Sequence, residues 1–438
     1  MRLPWTCEPT QVLAALEGEP YLCCLSGAWA GGGTIVASEP LRVAEPHDEP
    51  FALLDDLPAI DGRSAPPDAI GGGWFGWLGY RLAARVEQVP LADTRPVPLP
   101  DFHLAYYDHV VHQDRYGSWW FEALATPERW SELEERLEHV RRRVVEALFA
   151  ATAPAAPGPT PLRMGSAVAA HHLQAVAACR ERIAAGEIFQ ANICLRLDAR
   201  YDGTASALLR SALERGVVPE YTAAFDTPQG GVVSLSPELF LRRQGRRVRS
   251  GPIKGTGDRP SDPALAAESL RRLRDSDKDA AEHVMIVDLM RNDIGRVCEY
   301  GSVTAPRRPT AEAHPGLWHL VTDVEGRLRA GVGDAELLRA AFPPGSVTGA
   351  PKVQSLIVIA ELEALGREVY TGAIGYASPL AGLELNVAIR TLELSDGHLW
   401  LGVGGGIVAD SDPGAELEEV LIKARPVAAA IGTEVVVE

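Results

Sequence analysis

Between residues 130 and 148, apolar side chains return every three or four positions: Trp130, Leu133, Leu137, Val140, Val144 and Leu148. That repeat belongs to a helix with one buried stripe, and the Glu and Arg residues between them suit its wet face. Pro127 fits a first turn, so a helix is predicted over 127–149. Elsewhere in the first 150 residues the apolar runs are short, and strands are predicted over 22–25, 33–37 and 104–111. The run GGGWFGWLGY at 71–80 is glycine and aromatic without charge, which reads as close main-chain packing.

Alternating Ala and Pro follow, uncharged until Arg163, and can hold neither a helix nor a paired strand. Residues 151–165 are therefore read as a linker between an N-terminal region, 1–150, and a larger domain, 166–438. In that domain helices are predicted over 167–185, 276–290, 350–366 and 413–431. Strands are predicted over 188–197, 383–394 and 399–403, the last two with apolar alternation. No internal repeat is visible and strands do not alternate regularly with helices. The fold class is α+β: a large layered domain, helices packed around central antiparallel sheets, with a smaller N-terminal portion.

The composition, 46% apolar and 23% charged over 438 residues, is globular. With 42 basic and 59 acidic side chains the formal charge is −17, which argues against nucleic acid and against an anionic membrane surface. Six cysteines without C-x-x-C spacing suit a reducing compartment. No apolar leader follows Met1 and no run of 18 apolar residues occurs, so a cytoplasmic chain with no signal peptide and no membrane span is expected.

Three features could carry chemistry. Asp279 and Glu282, and again Glu416 and Glu419, stand three apart on predicted helices, so each pair shares a face. Two such faces would offer hard oxygen ligands to Mg²⁺, although surface acids would look the same. Lys254 stands in GPIKGTG, a turn of small residues after a strand. It is either a partly desolvated amine fit to attack carbon or an exposed turn lysine. The run GVGGG at 402–406 follows a predicted strand, and its N–H groups could hold a carboxylate. No helix opens after it, which excludes a dinucleotide loop, and GSVTGAPK at 345–352 lacks the spacing of a P-loop.

In chain order, GEIFQANI, SLSPELF, GPIKGT, DKDAAEHVMIVDLMRND, HLVTDVEG, AFPPGSVTGAPK, YTGAIGY, LNVAIRT, GVGGGIVADSDP and ELEEVLIKA resemble the motifs of the chorismate-utilising enzymes. That family includes anthranilate synthase large subunits, aminodeoxychorismate synthase component I, and isochorismate and salicylate synthases. The resemblance is strong over 166–438 and weak over 1–150, where WFGWLGY carries it.

The resemblance implies a residue-by-residue assignment. Glu282 and Glu419 would bind Mg²⁺, with Asp279 and Glu416 orienting metal-bound waters. Lys423, Gly255 and Thr256 would lie by the ring carboxylate of chorismate. Tyr370, Arg390, Gly404, Gly405 and Gly406 would hold the enolpyruvyl carboxylate. Glu238 would be the general acid that protonates the departing C4 hydroxyl. His319 would sit near the ring, in orientation, proton transfer or simple packing. The DLMRND stretch, 288–293, would stabilise its helix end.

Two positions separate members of the family. Enzymes that add water carry a lysine base where this chain has Gln190, so isochorismate and salicylate synthesis are not expected. Anthranilate synthases read PIAGT where this chain reads PIKGT, as the 4-aminating members do. The expected activity is therefore amination of chorismate at C4 on the 4-aminobenzoate (folate) branch, with Lys254 attacking C2 first. Anthranilate synthesis is the main alternative, and a chorismate-binding regulator without turnover is a second. No cysteine stands in a glutaminase elbow, so a separate glutamine amidotransferase partner is expected to supply ammonia. Residues 25–29, LSGAW, depart from the tryptophan feedback motif of anthranilate synthases, and tryptophan inhibition is not expected.

Overall fold

The computed structural model describes residues 1–60, 65–66, 68–95, 98–149, 158–306, 308–314 and 317–438; for Thr256, residues 277–279 and His314 it describes the main chain only. A 13-stranded and an 8-stranded sheet lie face to face, and a 3-stranded sheet stands beside them. Between the large sheets sits an apolar layer fed by both: Leu25, Ile35, Phe225 and Val232 from one, Phe75, Trp77, Tyr107 and Tyr376 from the other. Trp29 is buried in this layer, its ring edge-on to Tyr221 and its Nε1–H donating to the Thr222 carbonyl.

Helices cover both outer faces. Val12, Val140, Leu208 and Val420, each from a different helix, close over the larger sheet. Phe51, Met290 and Leu338 close over the smaller one. The α+β class with helices around central antiparallel sheets is therefore observed. Among the described residues no helix is long and apolar enough to cross a membrane.

The helix predicted over 127–149 forms as Trp130–Phe149, with Leu133, Leu137, Val140 and Val144 buried. Trp130 and Leu148, at the ends of the stripe, are 58% and 41% exposed. The uncharged run at 71–80 becomes the strand Gly73–Leu78, buried on both faces. Trp74 points toward the helices and Phe75 toward the inter-sheet layer, so neither face could take a charge. A Cβ on Gly76 would stand 1.8 Å from the His103 carbonyl oxygen. Gly76→Ala is expected to cost about 3 kcal/mol or more of stability, read as a lower midpoint in urea at unchanged slope. An unchanged midpoint would refute that packing.

The strands before residue 150 and after 165 are shared between the two large sheets. Of the stretch read as linker, 151–157 lies outside the described residues, while Leu162–Met164 is a strand paired with Val435–Val437 and with Asp198.

Two predicted strands are each two strands. Residues 104–111 divide into Phe102–Tyr107 in the smaller sheet and His109–Asp114 in the larger. Residues 383–394 divide into Gly382–Val387 and Thr391–Ser395, again one in each sheet. A third crossing lies between Gly230–Ser236 and Leu239–Gln244. At each crossing the chain leaves one sheet for the other within a few residues.

Candidate active site

The crossings position the chemistry. Glu238 lies between Ser236, the last residue of one sheet's strand, and Leu239, the first of the other's. Arg390 lies in the crossing between Val387 and Thr391. The two crossings are tied together. Val387 donates its N–H to the Glu238 carbonyl at 3.0 Å, Leu235 donates to the Arg390 carbonyl at 3.0 Å, and the Ser236 hydroxyl donates to the Val387 carbonyl at 2.6 Å. Pro252 then leads from the smaller sheet into the strand Ile253–Asp258, which starts the 3-stranded sheet and carries Lys254.

Glu238 is 3% exposed. Burial pushes its pKa up from 4.5 to about 7; the Ser346 hydroxyl, Lys254, the Ile253 amide and Arg390 all oppose that rise. Both cations are thus within electrostatic reach of the carboxyl. Arg390 takes a φ of +50°, which a non-glycine residue adopts only when its surroundings enforce it. Its backbone is held by the bond from Leu235, and among the described residues its guanidinium makes no hydrogen bond or ion pair. Burial lowers its pKa and Glu238 raises it. A strained backbone that presents an unmatched cation to a buried acid is an arrangement for receiving an anion.

The run 402–406 does not follow the strand but belongs to it. It lies inside the strand His398–Ile407, paired throughout with Gln190–Arg200. On its other edge the pairing with Thr391–Ser395 stops at Leu401, so the glycines border an open edge. The Gly404 carbonyl accepts from Lys423 Nζ at 3.1 Å, and opposite it the Cys194 N–H points away to Glu363. Gly404 therefore turns its main-chain groups to that open edge, and alternation turns Gly402 and Gly406 the same way. N–H groups for an anion are available there, at alternate glycines rather than in a nest.

Each glycine is required by a neighbour. A Cβ on Gly402 would meet the Tyr370 ring at 2.4 Å, one on Gly404 the Cys194 Sγ at 2.4 Å, and one on Gly406 the Gln190 Nε2 at 2.2 Å. Lys254 Nζ lies 3.5 Å from that last point. The half-buried amine thus reaches inward, over the glycine strand, and the exposed-turn alternative does not hold. Tyr370 is buried, its amide donating to Glu393 at 2.8 Å.

Gly405 faces the other way, toward the helix Pro413–Ala430. A Cβ there would lie 3.1 Å from Glu416 Oε2, 3.7 Å from Lys423 Nζ and 4.0 Å from Glu419 Oε1. Glu416 is buried and accepts from the Ser411 hydroxyl at 2.6 Å; Glu419 is paired with Lys423 at 2.7 Å. The two carboxylates therefore converge on one point of the glycine strand.

Glu282 is half-buried on the helix Asp277–Gly295; the side chains of Asp279 and Thr256 lie outside the description. Among the described residues no three acidic, histidine or cysteine side chains are gathered at metal-binding distance. The donors are hard carboxylate oxygens and suit Mg²⁺ in kind, with Glu419 meanwhile neutralised by a lysine. His319 is 1% exposed on the strand Leu317–Val321, opposite Thr256 on one side and Glu312 on the other. Gly255, with φ of +87°, breaks the register of that pairing. Within 288–293, Asp288 pairs with Arg291 at 2.8 Å and Asp293 with Lys352 at 2.5 Å, tying the helix end to the start of the helix Lys352–Leu362.

His283 is a further contributor that spacing did not single out. Its Nδ1 lies 3.3 Å from the Lys254 carbonyl and its Nε2 2.5 Å from the Thr322 hydroxyl. The carbonyl can only accept, so Nδ1 carries the proton and Thr322 donates to Nε2. Burial lowers its pKa, which keeps that tautomer neutral. It fixes the helix of Glu282 to the strand of Lys254. The available signal was its place between Glu282 and the apolar stripe of the same helix.

The sequence matches the chorismate binding enzymes over residues 29–429. It is 37% identical over 355 residues to aminodeoxychorismate synthase component 1 of Klebsiella aerogenes, covering 80% of this chain and 75% of that one. It is 38% identical over 379 residues to anthranilate synthase component 1 of Streptomyces coelicolor, covering 82% and 73%. The fold superposes on the crystal structure of anthranilate synthase component I from Streptococcus pneumoniae with a TM-score of 0.74, at 27% identity, over 93% of this chain and 90% of that one. On these matches, which span both the N-terminal region and the glycine strand, the chain belongs to the family of chorismate binding enzymes.

Proposed function

We propose that this enzyme replaces the C4 hydroxyl of chorismate by ammonia, giving 4-amino-4-deoxychorismate. The observation that carries the reading is the Lys254 amine, directed over Gly406 and within electrostatic reach of a carboxyl that still holds its proton near neutral pH. Overall identity does not decide between the 4-amino and 2-amino products, since relatives of both names match equally well. The local chemistry favours the former.

Arg390, the Tyr370 hydroxyl and the amides of Gly404 and Gly406 hold the enolpyruvyl carboxylate. Lys423 and Gly255 border the ring carboxylate. Glu238 donates its proton to the C4 hydroxyl, which leaves as water. The Lys254 amine, through its nitrogen lone pair, forms a C–N bond at C2 while both ring double bonds shift by one position and the C4–O bond breaks. Ammonia then forms a C–N bond at C4, the double bonds shift back, and the C2–N bond to Lys254 breaks. Gln190, in place of a base, leaves water unactivated; ammonia needs no activation.

Glu282 and Glu419 would hold Mg²⁺, with Asp279 and Glu416 as the outer partners; bound there it would supply positive charge for a substrate carboxylate otherwise repelled by acidic side chains. The curated relatives named component 1 support a partner, which we take to be a glutamine amidotransferase delivering ammonia.

The test is incubation of the chain with chorismate, MgCl₂ and an ammonium salt, followed by mass spectrometry. A product with the mass of chorismate less one oxygen plus NH is expected. Fluorescent anthranilate, formed with release of pyruvate, would establish the other amination instead, and unchanged chorismate would leave binding without turnover.

A further inference from the structure

A cavity of about 280 Å³ opens at the edge of Gln190–Arg200 remote from the glycine strand. That edge is paired at Gln190 and Ala191 and again at Asp198, and the cavity lies along the interval between them. Its lining includes His171 and His172 of the helix Ser166–Ala184, then Cys194, Arg196, Leu365 and Tyr370. The exposed part of the lining includes the apolar Val168, 39% exposed, and Leu365, 43% exposed, beside His171, whose Nε2 lies 2.9 Å from the Leu362 carbonyl.

Two side chains in this lining carry buried nitrogens that meet no acceptor or donor among the described residues. His172 is 2% exposed, and neither ring nitrogen makes a hydrogen bond. Arg196 has one long contact, Nη1 to Glu368 at 3.4 Å, while its buried Nη2 meets no acceptor. Neighbouring acids cannot serve it better. Glu368 is engaged by Arg95 at 2.8 Å and by the Leu99 amide, and Glu363 by Arg367 at 2.7 Å and the Cys194 amide. A buried donor left unmet is destabilising, so two such groups around one roomy cavity call for an explanation.

We propose that this cavity is a second ligand site, for a small monocarboxylate bearing an apolar ring or chain. The carboxylate meets Arg196 and the imidazole of His172, and the apolar part lies toward Val168 and Leu365. The volume is nearly twice the ~150 Å³ that holds a benzene ring, so one ring with a carboxylate fits. A dianion is disfavoured, because Glu363 and Glu368 stand on the same lining or directly behind it. Burial holds His172 at about 4, hence neutral near pH 7, so it offers one donor and one acceptor and adds no charge. Tyr370 lines the cavity while its ring rests on Gly402. An occupant therefore braces the back of a residue assigned above to the substrate. Binding here does not depend on the proposed function; only an effect on turnover would.

Benzoate is the probe, titrated calorimetrically into the whole chain, with benzyl alcohol as its uncharged counterpart. Saturable benzoate binding is expected, weakened about tenfold or more in Arg196→Gln, with benzyl alcohol weaker than benzoate by a similar factor. His172→Phe, which keeps the ring and lacks both nitrogens, is expected to weaken benzoate while preserving the fold and chorismate binding. Arg390→Gln is expected to leave benzoate affinity unchanged. No saturable binding in the millimolar range, full affinity in both Arg196→Gln and His172→Phe, equal affinity for benzyl alcohol, or loss of binding in Arg390→Gln would each overturn the proposal; the last would place benzoate in the substrate site.

Discussion

Lys254→Ala is expected to lower nitrogen delivery to C4 on the order of 10³-fold, with chorismate affinity nearly unchanged and a 2-aminated product appearing in its place. The amine is the group whose reach selects the carbon. It lies on the first strand of the 3-stranded sheet, directed at Gly406, where the substrate carboxylate is assigned. Without it C2 is open, and ammonia can attack there as the C4 hydroxyl leaves. The change also removes a cation that holds the Glu238 pKa down. Glu238 should then keep its proton to higher pH, and the residual activity should extend further into the alkaline range than in the parent. Mass spectrometry with anthranilate fluorescence reads the product ratio, and a pH–rate profile reads the second effect. Undiminished C4 amination in Lys254→Ala would end the covalent reading. A pH limb that does not move would show that the two groups do not share a site.

Much of this was legible from the chain. The helix stripes are strongly periodic, and Leu133, Leu137, Val140 and Val144 are buried where the repeat puts them. The helix carrying Glu416 and Glu419 runs over Pro413–Ala430, close to the 413–431 expected, because Asp412 caps it and Pro413 suits its first turn. Three-residue spacing then placed both carboxylates against Gly405.

What escaped were the places where the chain changes sheets. Alternation persists straight through 383–394 although both strands beside Arg390, one in each sheet, are buried on both faces, because the polar Glu384, Asn386 and Glu393 are themselves buried and hydrogen-bonded. Nothing in a period of two records that the partner strands differ on either side of a residue. Only the left-handed backbone at Arg390 marks the break, and arginine gives no compositional hint of it. The glycine run, read as following a strand, is part of one: Tyr370, Cys194 and Gln190 press on a strand that has no room for side chains. That reason lies in distant residues and could not be read locally. The main-chain bond of His283 to Lys254 is likewise a contact over 29 positions.

Glu238→Gln is expected to separate chemistry from stability in a way that a structural residue could not. As general acid, Glu238 should contribute about 10²–10⁴-fold, so the amide should lose that much turnover while still binding chorismate. The parent enzyme should lose activity as pH rises through about 7, where the buried carboxyl gives up its proton, and the variant should lack that limb. Stability should move the other way. The folded carboxyl titrates near 7 and the unfolded one near 4.5, so between those values the folded state holds a proton that the unfolded state releases. Its contribution is complete below about pH 4.5 and is lost as pH rises through 7, amounting to about 3 kcal/mol by pH 8. Glutamine does not ionise and escapes that loss. The variant should therefore gain on the parent by a few kcal/mol between pH 5 and pH 8 in urea unfolding, while remaining the poorer catalyst at both. A stability difference that does not change with pH would show that the carboxyl ionises as freely in the fold as in the open chain, and full turnover by the amide would show that some other group protonates the leaving oxygen.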